Sequence, residues 1–453
     1  MIKRKNRRAA INGRGLLSRR QLLSSAAGSA FFSAMPTLKV WGSLQSFYQG
    51  PLLVTLQLDG GADVTQLCDP KANVPGEQKI NHWADTQDLQ QAGNLLYAPV
   101  ASNHRLFGRF GADMLVINGV DAQTGSHDTG RLYSWTGSNA EGKPSLTAIH
   151  AAFNSPEQPL AYCVHGGHSR TANIVDYNRF EGLESLKALL KPNIRLSSGS
   201  MRPEAEIAIA QDLVANEVNR ILSRPDLTPR QIESLERFTA SRETRDSLAV
   251  LDELIPPPDQ FQQEALLYQR GQIELRSDLL QQMQSALLVF KSGLGSAADI
   301  MLGGFDSHNE NDIQQEVLYS HLTDALFYFW DTAEELGLAN RIMLVIGSDF
   351  GRTNYYNDGN GKDHWPIGSY MIMEKNAPWG NRVVGLTDEL HFAKGIDPQT
   401  LKEDPNGVYM TPAHVHKAIQ QYMGFDLFAE DLGLGLNNVE SLPLFDPFKA
   451  TFG

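Results

Sequence analysis

The stretch Arg341-Ile342-Met343-Leu344-Val345-Ile346-Gly347, followed at once by Ser348-Asp349-Phe350-Gly351-Arg352-Thr353, carries the clearest structural signal in the chain. A near-continuous apolar run closed by glycine and polar residues predicts a strand buried on both faces, as in a parallel sheet. Two other runs repeat the pattern. Pro51–Leu58 (PLLVTLQL) ends in Asp59-Gly60-Gly61-Ala62-Asp63, and Met114–Val120 (MLVINGV) leads to Thr124-Gly125-Ser126-His127-Asp128-Thr129-Gly130. In open α/β sheets, ligands collect beyond the carboxyl ends of the strands, so three such endings point to a site there. Glu316–Leu338 places Leu318, Leu322, Ala325, Leu326, Phe329 and Ala333 at helical spacing, which predicts a helix packed on the sheet. Residues 204–292 are polar and helix-favouring, broken at Pro225, Pro229 and Pro256-Pro257-Pro258, and read as a helical insertion or cap.

The 453 residues hold 39 Lys+Arg against 52 Asp+Glu, a formal net charge of −13, with two cysteines and 42% hydrophobic residues. That apolar share excludes wholesale disorder, and two cysteines exclude a disulfide scaffold or a Cys-rich zinc module. Nine of the bases precede residue 46, where there is no acid; the remaining 30 bases face all 52 acids, a net of −22. An acidic body of this kind repels nucleic acid and anionic membrane surfaces.

The basic start (Lys3, Arg4, Lys5, Arg7, Arg8, Arg14), the pair in Ser18-Arg19-Arg20-Gln21-Leu22-Leu23 and the weakly apolar Leu22–Met35 resemble a twin-arginine export signal. On that reading residues 1–48 are a signal segment, the protein is periplasmic or otherwise exported, and 49–453 form one α/β domain. A basic disordered tail is the plainer alternative. Leu22–Met35 falls short of the about 20 apolar residues that span a bilayer, and the body contains no span of its own. Cys68 and Cys163 are available to pair in an oxidising compartment.

Four clusters hold candidate chemistry. Asp59 follows the first strand, where a carboxylate serves as a metal ligand, a general base or simply a turn cap. Ser126-His127 stands after the second strand and before a probable helix start, where backbone N–H groups favour an anion. In Gly303-Gly304-Phe305-Asp306-Ser307-His308, Asp306 and His308 share one side of an extended segment. Imidazole with carboxylate suits a divalent metal such as zinc or manganese, and an all-oxygen shell would suit calcium. The fourth cluster joins Asp349 and Arg352 to Gly361-Lys362-Asp363-His364-Trp365, with Arg352 placed to grip an oxyanion. His165, His168, His414 and His416 are weaker candidates, since scattered loop histidines are usually locally hydrogen-bonded. No P-loop or dinucleotide-type glycine motif follows any strand, which argues against nucleotide chemistry.

Taken in order, the export leader, LDGGAD, Ser126-His127, GGFDSH, SDFGRT and KDHW resemble the exported bacterial family called domain of unknown function family 1501, related to the alkaline phosphatase and sulfatase superfamily. The resemblance covers roughly residues 50–180 and 295–425. It implies an alkaline-phosphatase-like three-layer α/β sandwich with a mostly parallel central sheet and a metal centre at its carboxyl edge. Asp59, Ser126 and Asp349 would hold one ion and Asp306, His308 and His364 another, with Asp363 contributing a further carboxylate. Arg352 and His127 would hold the transferred oxyanion. Phe350 stands where related hydrolases place a metal-binding histidine, so a one-ion site stands beside the two-ion reading. The expected activity is metal-dependent hydrolysis of a small anionic phosphate or sulfate ester, with a metal-activated Ser126 or water attacking in line. The alternative is a non-catalytic periplasmic binding or assembly protein that keeps the fold.

Overall fold

The computed structural model describes residues 47–190, 194–195, 199–200, 202–243, 245–256 and 277–449. The export signal read in residues 1–48 lies outside them except for its last two residues. The three apolar runs form strands: β1 (Leu52–Asp59), β2 (Met114–Asp121) and, later in the chain, Ile342–Ser348. They join β3 (Tyr162–Val164), β4 (Tyr177–Arg179) and β5 (Ala297–Gly303). With Ile342–Ser348 numbered β6, the remaining strands are β7 (Ile367–Glu374) and β8 (Arg382–Val384).

Together they make an eight-stranded sheet in the order β8-β2-β7-β6-β1-β5-β3-β4. Only β7 runs antiparallel to its neighbours; the other pairs are parallel. The expected mostly parallel α/β architecture is therefore present. Pairing of Leu58 with Ser348 and of Asp59 with Gly303 aligns the carboxyl ends of β6, β1 and β5. Their continuations leave the sheet side by side.

Alternation along β1 builds two cores. Leu52, Val54, Leu56 and Leu58 enter one, with α1 (Asn103–Phe110) and two long helices, Ser277–Ser292 and Asn311–Glu335. Leu53 enters the other, with α2 (His127–Thr136), α3 (Leu146–Asn154) and the helix Pro412–Met423. Each fully buried leucine contributes roughly 1.5–3 kcal/mol, which is why this central strand tolerates so little polarity. The stretch 204–292 contains α4 (Glu204–Leu222), α5 (Pro229–Glu243) and α6 (Arg245–Leu254), with Pro225 between the first two and Pro229 opening the second. Its last helix, Ser277–Ser292 (α7), covers the sheet as part of the core. Asn311–Glu335 (α8) is the predicted amphipathic helix, begun five residues earlier than its apolar stripe suggested. Among the described residues no helix is long and apolar enough to cross a membrane. Cys68 and Cys163 are both buried free thiols, so the pairing open to them is not made.

Beyond the strand ends the loops are tied by a buried ion pair. Lys362 Nζ lies 2.8 Å from Asp63 Oδ2, and both side chains are 0% exposed. Thr65 Oγ1 and Asn81 Oδ1 accept from the same ammonium at 3.2 and 3.3 Å. Asn311 Nδ2 donates to Asp63 at 2.9 Å, and Gln315 Oε1 accepts the Asp63 N–H. Gln315 Nε2 in turn donates to Phe305 O and Ser307 Oγ. Two glycines allow the close approach this requires. Gly60 has φ +117° and no room for a Cβ against the Asp306 backbone; at Gly130 a Cβ would stand 2.7 Å from Asp349 O, so α2 packs directly on the end of β6.

Burial alone would raise the Asp63 carboxyl, but Lys362, Thr65 and Asn311 outweigh it and hold it below the usual range. A carboxyl depressed in the folded state stabilises the fold above its ordinary pKa of about 4 and loses that contribution as pH falls through the folded value. Wild-type stability is thus expected to fall on acidification below about pH 4. Lys362→Met, which leaves Asp63 buried and uncompensated, is expected to cost about 3–5 kcal/mol. Urea unfolding midpoints at neutral and acid pH measure both.

Candidate metal centre

Four side chains meet where β5, β6 and α2 come together. Asp306 and His308 arrive on the extended segment after β5, with Asp306 Oδ1 3.0 Å from His308 Nε2. His364 arrives on a two-residue ribbon in which Gly351-Arg352 pairs with His364-Trp365. Its Nε2 lies 3.2 Å from Asp306 Oδ1 and 3.0 Å from His308 Nε2. His127, the first residue of α2, brings its Nε2 to 3.5 Å from Asp306 Oδ2. One ligand atom each from His127, Asp306 and His364 lies within 4.8 Å of the others.

The outer nitrogens fix the tautomers. His127 Nδ1 is 2.5 Å from Asp349 Oδ2, His308 Nδ1 is 2.8 Å from Asp363 Oδ1, and His364 Nδ1 is 2.6 Å from Gly125 O. Carboxylate and carbonyl oxygens only accept, so each Nδ1 carries a hydrogen and each ring turns its Nε2 inward. The Nε2 atoms of His308 and His364 lie close to each other and to the Asp306 carboxylate. His127 Nε2 is buried and has no hydrogen-bond partner. His127, Asp306 and His364 together make a donor set that fits a divalent cation, two imidazole nitrogens and one carboxylate oxygen, with His308 adjoining Asp306 and His364 and each ring backed by an outer acceptor. Partial burial would raise the Asp306 carboxyl, but Arg352, with His364 and His127, holds it at about 2, so it is ionised whenever the site is used. The hydrogen bond from His127 to Asp349 raises the His127 imidazole above its ordinary range against the effect of burial.

The remaining predicted residues fall into different places. Asp349 is 1% exposed and faces His127, accepting also from the Gly60 N–H and Ser348 Oγ. Asp363 orients His308. Both carboxylates therefore support ligands from behind. Asp59 is held by Arg131, Nε to Oδ1 at 2.5 Å and Nη2 to Oδ2 at 3.1 Å, and does not join the cluster. Arg352 is 0% exposed and spends its donors on Gly61 O, Lys362 O, Gly60 O and Asp306 Oδ1. It is a scaffold for the loops and for Asp306: four of its five N–H donors are taken, and the fully buried guanidinium offers no face to a substrate oxyanion. Ser126 is the exposed N-cap of α2; its N–H donates to Thr124 Oγ1 and its hydroxyl makes no capping hydrogen bond. His127, expected to hold an oxyanion, belongs to the ligand cluster instead.

The weaker histidines are structural. His165 Nδ1 faces Phe180 O, His416 Nε2 faces Ser134 O, and His414 closes a capping box with Thr411. His168 is half-buried and flanked by charge: burial, with Arg170 and Arg131, lowers it to about 4. Arg131 was missed in the sequence, although its spacing of one helical turn from His127 places both on one face of α2.

Residues 259–425, which include Asp306, His308, Asp349, Arg352 and His364, match the family described as Protein of unknown function (DUF1501), the family the motifs resemble. No curated protein matches the chain. Among solved structures, Ps i-CgsB is 8% identical, covering 88% of this chain and 76% of its own, with a TM-score of 0.38. The phosphonate monoester hydrolase of Agrobacterium radiobacter is 10% identical, covering 83% and 74%, with a TM-score of 0.29. TAB5 alkaline phosphatase, solved as a magnesium-bound variant, is 12% identical, covering 72% and 91%, also with a TM-score of 0.29.

Protein stripped with chelator and reloaded with zinc or manganese is expected to bind one ion per chain. Asp306→Ala should abolish that binding. Asp363→Asn, which keeps the shape behind His308 but not the charge, should weaken it about 10–100-fold. Chelator competition measures both.

Proposed function

We propose that the protein is an exported, metal-dependent hydrolase of phosphate or sulfate esters. The observation that carries this reading is the approach of the His127, His308 and His364 Nε2 atoms to the Asp306 carboxylate, each ring tied from behind. A divalent ion held by Asp306, His308, His364 and His127 would supply Lewis-acid polarisation of an ester oxygen and ease deprotonation of a water or hydroxyl.

The chain's own groups supply the rest. Asp349, Asp363 and Gly125 O hold the three rings in place, so no reorganisation is needed on binding. The N-terminus of α2 opens at His127 uncapped by Ser126, and its backbone N–H groups favour an anionic ligand beside the ligand cluster. Asp306, His308 and His364 are partly exposed, which leaves the site open to a substrate in solution. Ser126 Oγ makes no hydrogen bond to the cluster among the described residues, and this favours water over Ser126 as the nucleophile. The basic leader with Arg19-Arg20 supports export by the twin-arginine route, which carries folded proteins.

A screen of aryl phosphates, phosphodiesters and sulfates on the metal-loaded protein tests the proposal. Activity is expected to fall by at least about 10²-fold in Asp306→Ala. Ser126→Ala is expected to keep most of it. Activity lost in Ser126→Ala with metal binding intact would move the nucleophile to Ser126. Metal bound tightly with no ester turned over would leave a binding protein in place of a hydrolase.

A further inference from the structure

The pairing of Asp59 with Arg131 bears on how many cations the site uses. Asp59 ends the central strand of the sheet, at the edge where β5 and β6 also end. Its two oxygens are both engaged by one guanidinium. Asp349, the other carboxylate at this edge, is likewise committed, to His127 Nδ1, the Gly60 N–H and Ser348 Oγ. Both oxygens of each carboxylate already accept hydrogen bonds, so a second divalent ion drawing on either would have to displace them. The residues present fit one ion, with a fixed guanidinium beside it.

We propose that Arg131 is the second cation of the site and receives a non-bridging anionic oxygen of the ester; this rests on the hydrolase reading above. Arg131 lies one turn along α2 from His127, and its charge acts on His127, Asp349 and His168. It is about one-third exposed, in contrast to the sealed Arg352. Nε and one Nη2 hydrogen face Asp59, and the third nearby carboxylate, Asp128, is fully exposed and 3.8 Å from Nη1. That leaves one Nη2 and two Nη1 hydrogens, in the planar geometry that suits a tetrahedral oxyanion. Asp59 acts here as a positioning residue: by fixing the guanidinium plane it removes the rotamer freedom that a free arginine would lose on binding.

Titration of inorganic phosphate into the zinc-loaded protein tests this, with metal content measured alongside. Arg131→Ala is expected to weaken phosphate binding roughly tenfold or more while leaving one ion bound, since a hydrogen bond to a charged group is worth about 1.5–3 kcal/mol. Arg131→Lys, which keeps the charge but loses the fork, should fall between the two and guards against loss of folding in the alanine variant. Asp59→Asn should weaken phosphate binding without changing metal content. Two ions bound per wild-type chain, no phosphate binding by the loaded wild type, or unchanged phosphate affinity in Arg131→Ala would each overturn the proposal. Phosphate binding that depends on Arg131 in a protein that hydrolyses no ester would sustain this inference and refute the hydrolase; ester hydrolysis with phosphate affinity indifferent to Arg131 would do the reverse.

Discussion

The Asp63–Lys362 pair is the constraint on which the site depends. Neither side chain reaches water, so each charge is tolerated only because the other, together with Thr65, Asn81 and Asn311, replaces its hydration. The two residues belong to segments about 300 positions apart: the loop leaving β1, and the loop that delivers Asp363 and His364. Arg352 repeats the same tie with a different chemistry. It gathers the carbonyls of Gly60, Gly61 and Lys362 around one buried guanidinium and extends a fourth donor to Asp306. The Lys362 N–H donates to Ser307 O, between Asp306 and His308 of the GGFDSH segment. The His–Asp cluster is thus assembled from loops tied to one another by these buried charges. Such outside support is what keeps ligand atoms within a few tenths of an ångström of a working geometry.

The carboxylates around the cluster divide their work by what lies next to them. Asp306 has a buried guanidinium on one oxygen and imidazoles on the open side, and is held ionised at about 2. Asp349 and Asp363 each face the protonated nitrogen of a ring and make that ring a better donor at its other end. Phe350 completes the floor. Its ring centroid is 4.8 Å from that of His127 and 4.6 Å from that of His364, so an apolar face presses both imidazoles toward Asp306. The position that would offer a further ligand in a two-ion site offers packing here.

Much of the fold could be read from the sequence because its central strands are buried on both faces. An unbroken apolar run is then unambiguous, and the polar endings of β1, β2 and β6 mark the edge where chemistry collects. Asp306, His308 and His364 were legible from the motifs GGFDSH and KDHW and not from strand endings: β5 was not predicted, and His364 stands 16 positions beyond Ser348. The role of Arg352 was not legible. A long cationic side chain after a strand reads as an anion binder, and only the folded chain shows that four acceptors from distant segments already surround it. Asp349 was placed correctly at the site but acts one bond further out than a ligand, because His127 comes between. Lys362 was seen as part of a motif and its role was invisible, since its partner Asp63 lies in another loop. Arg131 had a signal, the one-turn spacing from His127, that is noticed only once His127 is known to be a ligand.

Charge accounting at the site orders the events of binding. Asp59, Asp306, Asp349 and Asp363 bring four negative charges, against two positive charges from Arg131 and Arg352. This local excess sits in a body whose net charge beyond residue 45 is −22. An anionic ester approaching that surface without a bound cation meets repulsion at every distance shorter than the screening length. A divalent ion in the His–Asp cluster would bring the local sum to zero, leaving Arg131 and the α2 N-terminus to favour an anion there. On the proposed reading, cation first and ester second is the order that this distribution of charge favours, because only the loaded cluster offers an anion a site that the surrounding acids do not repel.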